Sequence, residues 1–319
     1  MSNPPLTHLT LYDIASRPPV ESTCFATNPW KARFALNFKA LPYRTIWVSL
    51  PDIPTLRSST LRLPPTRFFA DGSPFYTLPI LHDPNASPSP FPSSHDTDTD
   101  TDSDSDSDTA SESDSKNHHP PRGVLIGDSF DIATHLETQY PLSGTGRLFP
   151  PIKDLHAPPS TIQHTKLLIP LSELRAQSPH VQYAHFNNQV DALFTAHAHL
   201  MAYYMPLDPS TAEATKAEFV RRAGASSWED FALDGQEREM MKMSLRDALG
   251  VHLAGLLRRD ESGPFVLGGK ATYADFIVGA WLKMMERTLP GGEWEEMRGW
   301  HGGVFGELHD ALGEFGEVM

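Results

Sequence analysis

The chain has 319 residues, 39% of them hydrophobic and 21% charged, and a formal net charge of -14. This length favours two domains, and the acidic balance argues against a nucleic-acid partner, which would need a basic face. A single cysteine excludes an intrachain disulfide framework and fits a reducing compartment.

The first residues, MSNPPLTHLTLYDI, lack the basic segment and apolar run of a signal peptide. No apolar stretch approaches the ~20 residues that span a bilayer. We therefore expect a cytoplasmic protein without a membrane partner.

Strand and helix patterns alternate in the first half of the chain. LTLYDI and RTIWVSL predict strands, and a helix that starts near NPWKARFALNFK lies between them. YTLPILHD and GVLIGDS predict two further strands that form a hairpin. DSFDIATHLETQY predicts a second helix, whose Asp128 and Asp131 resemble a capping box. The predicted order is β-α-β, a loosely helical stretch, and then β-β-α.

An acidic segment, residues 85–121, interrupts the predicted hairpin. It holds nine acidic residues and one lysine, so its net charge is -8, and it has almost no aliphatic side chains. Such a segment cannot bury enough apolar surface to offset the cost of ordering it, and we expect a disordered insert. Cation binding by its aspartates and phosphorylation of its serines remain open alternatives. The central Gly and terminal Glu of an EF-hand loop are missing, and no metal site is predicted.

The second half of the chain, from about residue 151, has amphipathic helical patterns in place of strands. An example is TYADFIVGAWLKMMERTL, which Thr272 and Asp275 open as a capping box. We therefore predict two domains, residues 1–150 and an all-helical domain of residues 151–319. The methionine and aromatic positions of the helical half are expected in its core, with Tyr203 and Tyr204 as the less favoured candidates for a pocket.

The start of the first helix has two interpretations. Pro29 suits a first helical turn, which makes Asn28 or Thr27 the N-cap. The simpler interpretation is a well-capped buried helix. The functional one is that its free amides and partial positive charge stabilise a thiolate. Apolar residues at helical spacing are predicted to face the core: Trp30, Phe34, Phe38 and Leu41.

The order LYDI…NPWKARFALNFKALPYRTIWVSLPDI…DGSPFYTLPILHD…GDSFDIATHLETQYP…LFP resembles the glutathione transferases of the fungal etherase-like, FuA-type group. The resemblance covers nearly all of the first half except the acidic insert, and ATYADF carries it in the second half. It implies an N-terminal thioredoxin-like domain followed by a C-terminal helical-bundle domain. It also implies glutathione as co-substrate and a small hydrophobic electrophile as second substrate, and it allows a homodimer.

The resemblance also implies roles for individual residues. Leu78 and Pro79 match the segment with a cis proline bond, where the backbone of the residue before the proline pairs with the cysteinyl part of glutathione. Asp128 and Ser129 match the acidic-Ser pair that holds the γ-glutamyl end. Their chemistry agrees with this role, because a carboxylate suits an ammonium group, and a hydroxyl with helix-tip amides suits a carboxylate. Asp128 can serve as a helix cap at the same time.

The thiol-activating position departs from the family pattern Ser-Pro-Asn-x-Trp-Lys, because Ala26 stands where the family has serine. Thr27 or Asn28 is the candidate to supply the missing donor. Cys24 is out of register and is expected to be a small buried residue. We predict an enzyme that activates the glutathione thiol for attack on an electrophile or for ether cleavage. The alternative is a non-catalytic protein that binds glutathione and a hydrophobic ligand.

Overall fold

A mixed β-sheet forms the centre of the first half of the chain in the computed structural model, which describes residues 7–69, 71–87, 123–155 and 173–319. The strands are β1 Leu9–Ile14, β2 Tyr43–Val48, β3 Arg67–Phe68, β4 Pro74–Phe75, β5 Ile80–Asp83 and β6 Val124–Ile126. In the four-stranded sheet, of order β2-β1-β5-β6, β1 is parallel to β2 and antiparallel to β5, and β5 is antiparallel to β6. Strands β3 and β4 form a separate small hairpin, which the sequence patterns did not predict.

Helices flank this sheet and make up the described part of the second half. In the first half they are α1 Val20–Thr23, α2 Thr27–Phe38, α3 Ile53–Thr55 and α4 Ser129–Gln139. In the second half they are α5 Glu173–Ala176, α6 Val181–Thr195, α7 His199–Ala202, α8 Ala212–Ala223, α9 Gly235–Leu249, α10 Gly255–Leu257, α11 Tyr273–Thr288, α12 Glu293–Arg298 and α13 Val304–Ala311. Short 3-10 or π segments extend or link several of them: Leu50–Asp52, Leu56–Thr60, Glu229–Phe231, Gly250–Ala254, Trp300–Gly303 and Leu312–Phe315.

This architecture confirms the predicted fold class, a sheet-and-helix domain followed by a helical domain. The capping box at the start of α11 is also confirmed, since Thr272 accepts a hydrogen bond from the amide of Ala274 and Asp275 accepts one from the amide of Thr272. The boundary at residues 150 and 151 stays a prediction. Among the described segments, none of the helices combines the length and the apolar character that crossing a bilayer requires.

The hairpin that brackets the acidic segment is confirmed. Its strands pair Leu81 with Ile126 and Asp83 with Val124, and so their ends are adjacent. Asn85 then exchanges two hydrogen bonds with the backbone of Thr7, at 2.9 and 2.8 Å. Of the segment predicted to be disordered, residues 85–121, residues 88–121 lie outside the described residues, and residues 85–87 are described.

Helix α2 lies at the centre of the molecule. It packs against β1 on one side and against α4 and α11 on others. The predicted stripe is confirmed, because Trp30, Phe34, Phe38 and Leu41 are at most 4% exposed. Burial extends further than the pattern indicated, since the side chains of Lys31 and Arg33 are also fully buried. An amphipathic pattern predicts one buried face, whereas this helix is enclosed by two domains.

Each buried cation near this helix is matched within the protein. Arg33 donates from Nη2 to Asp13 Oδ2 at 2.7 Å and from Nη1 to Thr45 Oγ1 at 3.1 Å. Lys39, just after the helix, pairs with Glu137 at 2.8 Å. Because a buried charge without a counter-ion is costly, these pairs fix where α2 lies against the sheet and α4.

We expect the substitution Asp13→Asn to lower the free energy of unfolding by about 3–5 kcal/mol, because Arg33 would keep its buried charge without a counter-ion. Chemical denaturation monitored by circular dichroism measures this change. The matched control is Lys216→Met, which removes one partner of a solvent-exposed pair with Glu213. The control should leave the denaturation midpoint nearly unchanged, and equal shifts in the two variants would contradict the interpretation.

We further expect that replacing residues 88–122 with a short Gly-Ser linker leaves the melting temperature unchanged or raises it by a few degrees. The strand pairs and the contact between Thr7 and Asn85 remain, and closing a shorter loop costs less entropy, by about 0.6 kcal/mol for each halving of its length. Residues 88–122 contain no Val, Leu, Ile or Met. Thermal unfolding tests this, and a loss of about 10 °C or more would show that the insert contributes to the core.

Candidate functional site

A cleft of about 340 Å³ opens between the two halves of the molecule at the N-terminal end of α2. Three of the predicted site residues line it, namely Thr27, Asn28 and Leu78, and Ala26 lines it as well. Apolar side chains from both halves form its walls: Ile14, Phe25, Phe75, Met205, Phe219, Trp281 and Met284. Tyr203 and Tyr204, the alternative pocket candidates, do not line this cleft.

Helix α2 has its N-cap one residue before Thr27 and two before Asn28, the two predicted candidates. Ala26 is the N-cap, without a side-chain cap hydrogen bond, and its carbonyl accepts the first helical bond from Trp30 at 3.2 Å. The expectation that Asn28 or Thr27 caps the helix is therefore wrong. Pro29 is the third helical residue, where its missing N–H costs nothing because the first four amides of a helix lack intrahelical acceptors. The amides of Thr27 and Asn28 remain available at the tip.

The two candidate donors differ in what they contact. The Thr27 hydroxyl donates to the Met284 sulfur at 3.3 Å and is largely buried. A thioether is a weak acceptor, so this contact holds the hydroxyl only weakly. The half-buried Asn28 side chain makes no hydrogen bond within the described part of the chain, and its carboxamide borders the cleft.

Cys24 is buried, as predicted. Its side chain is 1% exposed and its sulfur lies 3.7 Å from the carbonyl oxygen of Glu21. Burial, assisted by the charge of Asp13, raises the pKa of the Cys24 thiol to about 12. The group is therefore a neutral thiol at physiological pH and supplies no nucleophile to the cleft.

The Leu78–Pro79 peptide bond is cis, as the resemblance implied. Arg57, which no sequence pattern singled out, holds this segment in place through a hydrogen bond to its backbone. Its buried guanidinium donates to the carbonyl of Thr77 at 2.7 Å and to that of Pro64 at 2.8 Å. A Cβ atom at Gly127 would lie 2.6 Å from Arg57 Nη2, so this glycine leaves room for the guanidinium. Arg57 thus lies between the two segments that carry Leu78 and Asp128.

Asp128 caps α4, as predicted. Its Oδ1 accepts a hydrogen bond from the amide of Phe130 at 2.8 Å. The same oxygen pairs with Arg175 of the helical half, whose Nε also donates to Asp131 at 3.1 Å. Asp131 binds Arg175 and accepts no hydrogen bond from the Asp128 amide, so the predicted capping box is not formed. Burial opposes ionisation of Asp128, but the charges of Arg175 and Arg67 hold the pKa of its carboxyl below the usual value.

Asp128, Ser129 and Pro79 lie outside the wall of the cleft itself. Ser129 is the first residue of α4, its side chain is buried, and its carbonyl accepts a hydrogen bond from the Tyr273 hydroxyl at 3.0 Å. This bond connects the start of α4 to α11 of the helical half. Asp128 and Ser129 thus form one side of the interface between the two halves of the chain.

Charged residues that the sequence analysis did not single out also line the cleft. Asp191 of α6 lies there, paired with the buried Lys31 at 2.5 Å and accepting from the Trp281 indole at 2.8 Å. Arg67 lies on the sheet side, where its guanidinium makes no hydrogen bond or ion pair with another described residue, and Arg222 lies on α8. Asp191 could have been recognised from the sequence, because it is an acidic residue among the apolar positions of α6. No local pattern marks the two arginines, because their position depends on how the halves pack.

Comparisons with known proteins agree with this geometry. Residues 182–315 match the family model described as glutathione S-transferase, C-terminal domain. Glutathione S-transferase-like protein ustS of Aspergillus flavus is 26% identical over 288 residues, which are 88% of this chain and 80% of that protein. Among solved structures, a glutathione S-transferase of Ceriporiopsis subvermispora in complex with glutathione aligns with a TM-score of 0.69 at 25% identity, over 98% of this chain and 99% of that one. Glutathione transferase GSTFuA3 of Phanerochaete chrysosporium has the same fold, with a TM-score of 0.66 at 20% identity over 98% of both chains. Residues 182–315 thus match the C-terminal domain of the glutathione S-transferases, and the whole chain is similar in sequence and fold to fungal glutathione transferases.

Proposed function

We propose that this protein binds glutathione at the tip of α2 and activates its thiol for attack on a hydrophobic electrophile or for ether cleavage. The observation that carries the proposal is the cleft itself. It joins the free amides of a buried helix to apolar walls from the helical half, with Leu78 beside them. A cleft of this kind accepts an anionic sulfur at one end and an apolar partner at the other.

The γ-glutamyl end of glutathione has a matching set of groups. The carboxylate of Asp128 suits the ligand's ammonium, and its Oδ2 receives no hydrogen bond from the described residues. The amides at the start of α4 and the Ser129 hydroxyl suit the neighbouring carboxylate. Arg67 adds a cation on the same side, since its charge lowers the pKa of Asp128. The backbone of Leu78 then pairs with the cysteinyl part.

Thiol activation depends on the groups next to Ala26, which has no donor of its own. The two free amides at the tip contribute the helix field, worth about 0.3–1 kcal/mol for an exposed anion. A positioned side-chain donor contributes more, roughly 1.5–3 kcal/mol for a hydrogen bond to a charged acceptor. The Asn28 carboxamide is free to donate, and the Thr27 hydroxyl gains by exchanging the Met284 sulfur for a thiolate.

The alternative function is a non-catalytic protein that holds glutathione and a hydrophobic ligand. Two observations favour it: Ala26 occupies the position of the family's serine, and the Thr27 hydroxyl is directed at Met284. Both functions use the same cleft and the same contacts to the γ-glutamyl end. They differ only in whether the bound thiol is ionised.

We expect Asp128→Asn to weaken glutathione binding about tenfold, because the ammonium group loses a charged acceptor. Asparagine caps a helix as well as aspartate does, so the substitution removes the charge and keeps the start of α4. Isothermal calorimetry at millimolar glutathione measures the affinity. Asp208→Asn, which removes an exposed acid from the helical half, serves as the control. If the unaltered protein gave no heat and bound no S-hexyl-glutathione, the proposed site would be wrong.

We expect Thr27→Val to raise the pKa of the bound glutathione thiol and to slow conjugation at neutral pH about tenfold, with little change in affinity. A raised thiol pKa moves the rising limb of the pH–rate profile to higher pH, because a smaller fraction of the bound glutathione is thiolate at each pH below that pKa. Ala26→Ser restores the family's hydroxyl and should move the limb to lower pH. Thiolate absorbance and initial rates measured across pH test both variants. If neither variant differed from the parent, the non-catalytic alternative would replace the enzyme.

A further inference from the structure

The α8 side of the cleft carries a cation that its own surroundings do not balance. Arg222 lines the cleft, its side chain is only 13% exposed, and its guanidinium lies 4.9 Å from the centre of the Phe75 ring. Its Nε donates to Glu218 at 2.7 Å. Its two terminal nitrogens make no hydrogen bond to any other described residue. Four N–H donors of a guanidinium therefore remain available at the wall of the cleft.

The carboxylate that pairs with Arg222 is shared with a second arginine. Arg221 donates to both oxygens of Glu218, at 2.7 and 2.8 Å. Two guanidinium groups thus face one carboxylate. The hydrogen bonds with Glu218 raise the pKa of Arg221, whereas burial lowers the pKa of Arg222, only partly offset by Glu218. Glu218 therefore binds Arg222 through Nε alone and makes no hydrogen bond to its terminal nitrogens.

Of the other charged groups of the cleft, Asp191 is paired and Arg67 interacts electrostatically with Asp128. The charge of Asp191 is matched by Lys31 at 2.5 Å and by the Trp281 indole. Arg67 acts on Asp128 and so belongs to the end of the cleft where the γ-glutamyl group would bind. Arg222 is therefore the cation available to the second ligand, among apolar side chains that include Phe75, Phe219 and Met205.

We infer that the second substrate is an aromatic electrophile that carries a carboxylate, and that Arg222 binds this carboxylate while the ring packs on the apolar wall. The inference rests on the proposed glutathione transferase function and names the substrate class of the same cleft. An arginine fork binds a carboxylate through two parallel hydrogen bonds, which also fixes the orientation of the ring. A neutral electrophile would leave the desolvated guanidinium without this compensation.

A pair of aryl chlorides tests this class by nucleophilic aromatic substitution. The glutathione thiolate forms a C–S bond at the ring carbon that bears chlorine, the C–Cl bond breaks, and chloride leaves with the bonding electrons. The thiol proton passes to solvent. The probes are 4-chloro-3,5-dinitrobenzoate, which carries the carboxylate, and the neutral 1-chloro-2,4-dinitrobenzene. Each kcat/KM is divided by the uncatalysed rate constant, so that intrinsic reactivity cancels.

We expect the parent protein to prefer the benzoate. The substitution Arg222→Met should lower kcat/KM for the benzoate about tenfold, and it should lower kcat/KM for the neutral probe less than about twofold. Glu218→Gln removes the shared counter-ion and should raise the preference for the benzoate. Lys216→Met, which removes one positive charge from an exposed site on the same helix, is the control and should change neither rate. Equal losses on both probes in Arg222→Met, or an equal effect of Lys216→Met, would overturn the inference.

Calorimetry with the two S-aryl glutathione conjugates keeps the test independent of catalysis. We expect the carboxylated conjugate to bind more tightly to the parent, and Arg222→Met to abolish the difference. If both conjugates bound equally to the parent, the inference would fail and the glutathione site would stand. If neither conjugate bound, the proposed function itself would fail and the inference with it.

Discussion

The enclosure of α2 by both halves of the chain is the constraint on which the rest of the structure depends. A helix buried on every side cannot send its polar side chains to water, and each needs a partner inside the protein. Arg33 forms an ion pair with Asp13 of the sheet, and Lys31 forms one with Asp191 of the helical half. Asn37 donates to the carbonyls of Phe315 and Glu317. The bonds of Lys31 and Asn37 therefore satisfy the helix and join the two halves at the same time.

This constraint also determines where chemistry is possible. The N-terminal end of α2 borders the cleft, and Asp191, the partner of Lys31, is in the wall of that cleft. The helical half thus contributes to the site twice, through the apolar wall and through the pair that holds the helix. A separate contact, between Arg175 and Asp128, ties the start of α4 to the helical half in the same way. The geometry of the site is a property of the interface, and neither half has it alone.

Local patterns in the sequence predicted most elements of the fold. Strand alternation, the Asp128 cap and the Thr272 capping box depend on residues close in sequence, and the structure agrees with them. The start of α2 was misplaced because a proline is tolerated anywhere in a first turn, so its position does not fix the cap. Three candidate residues, Thr27, Asn28 and Leu78, do meet in one cleft. The contacts of Arg57 with Thr77, of Arg175 with Asp128 and of Arg222 with the Phe75 ring join residues far apart in sequence, and no local pattern contains them.

The burial of Cys24 has a consequence for a protein that works beside glutathione. Thiol–disulfide exchange needs an accessible thiolate, and the chain's single cysteine has neither exposure nor a lowered pKa. Oxidised glutathione therefore has no accessible thiolate on this chain with which to form a mixed disulfide. Whatever the protein does with glutathione, its own covalent state stays constant when the ratio of reduced to oxidised glutathione changes.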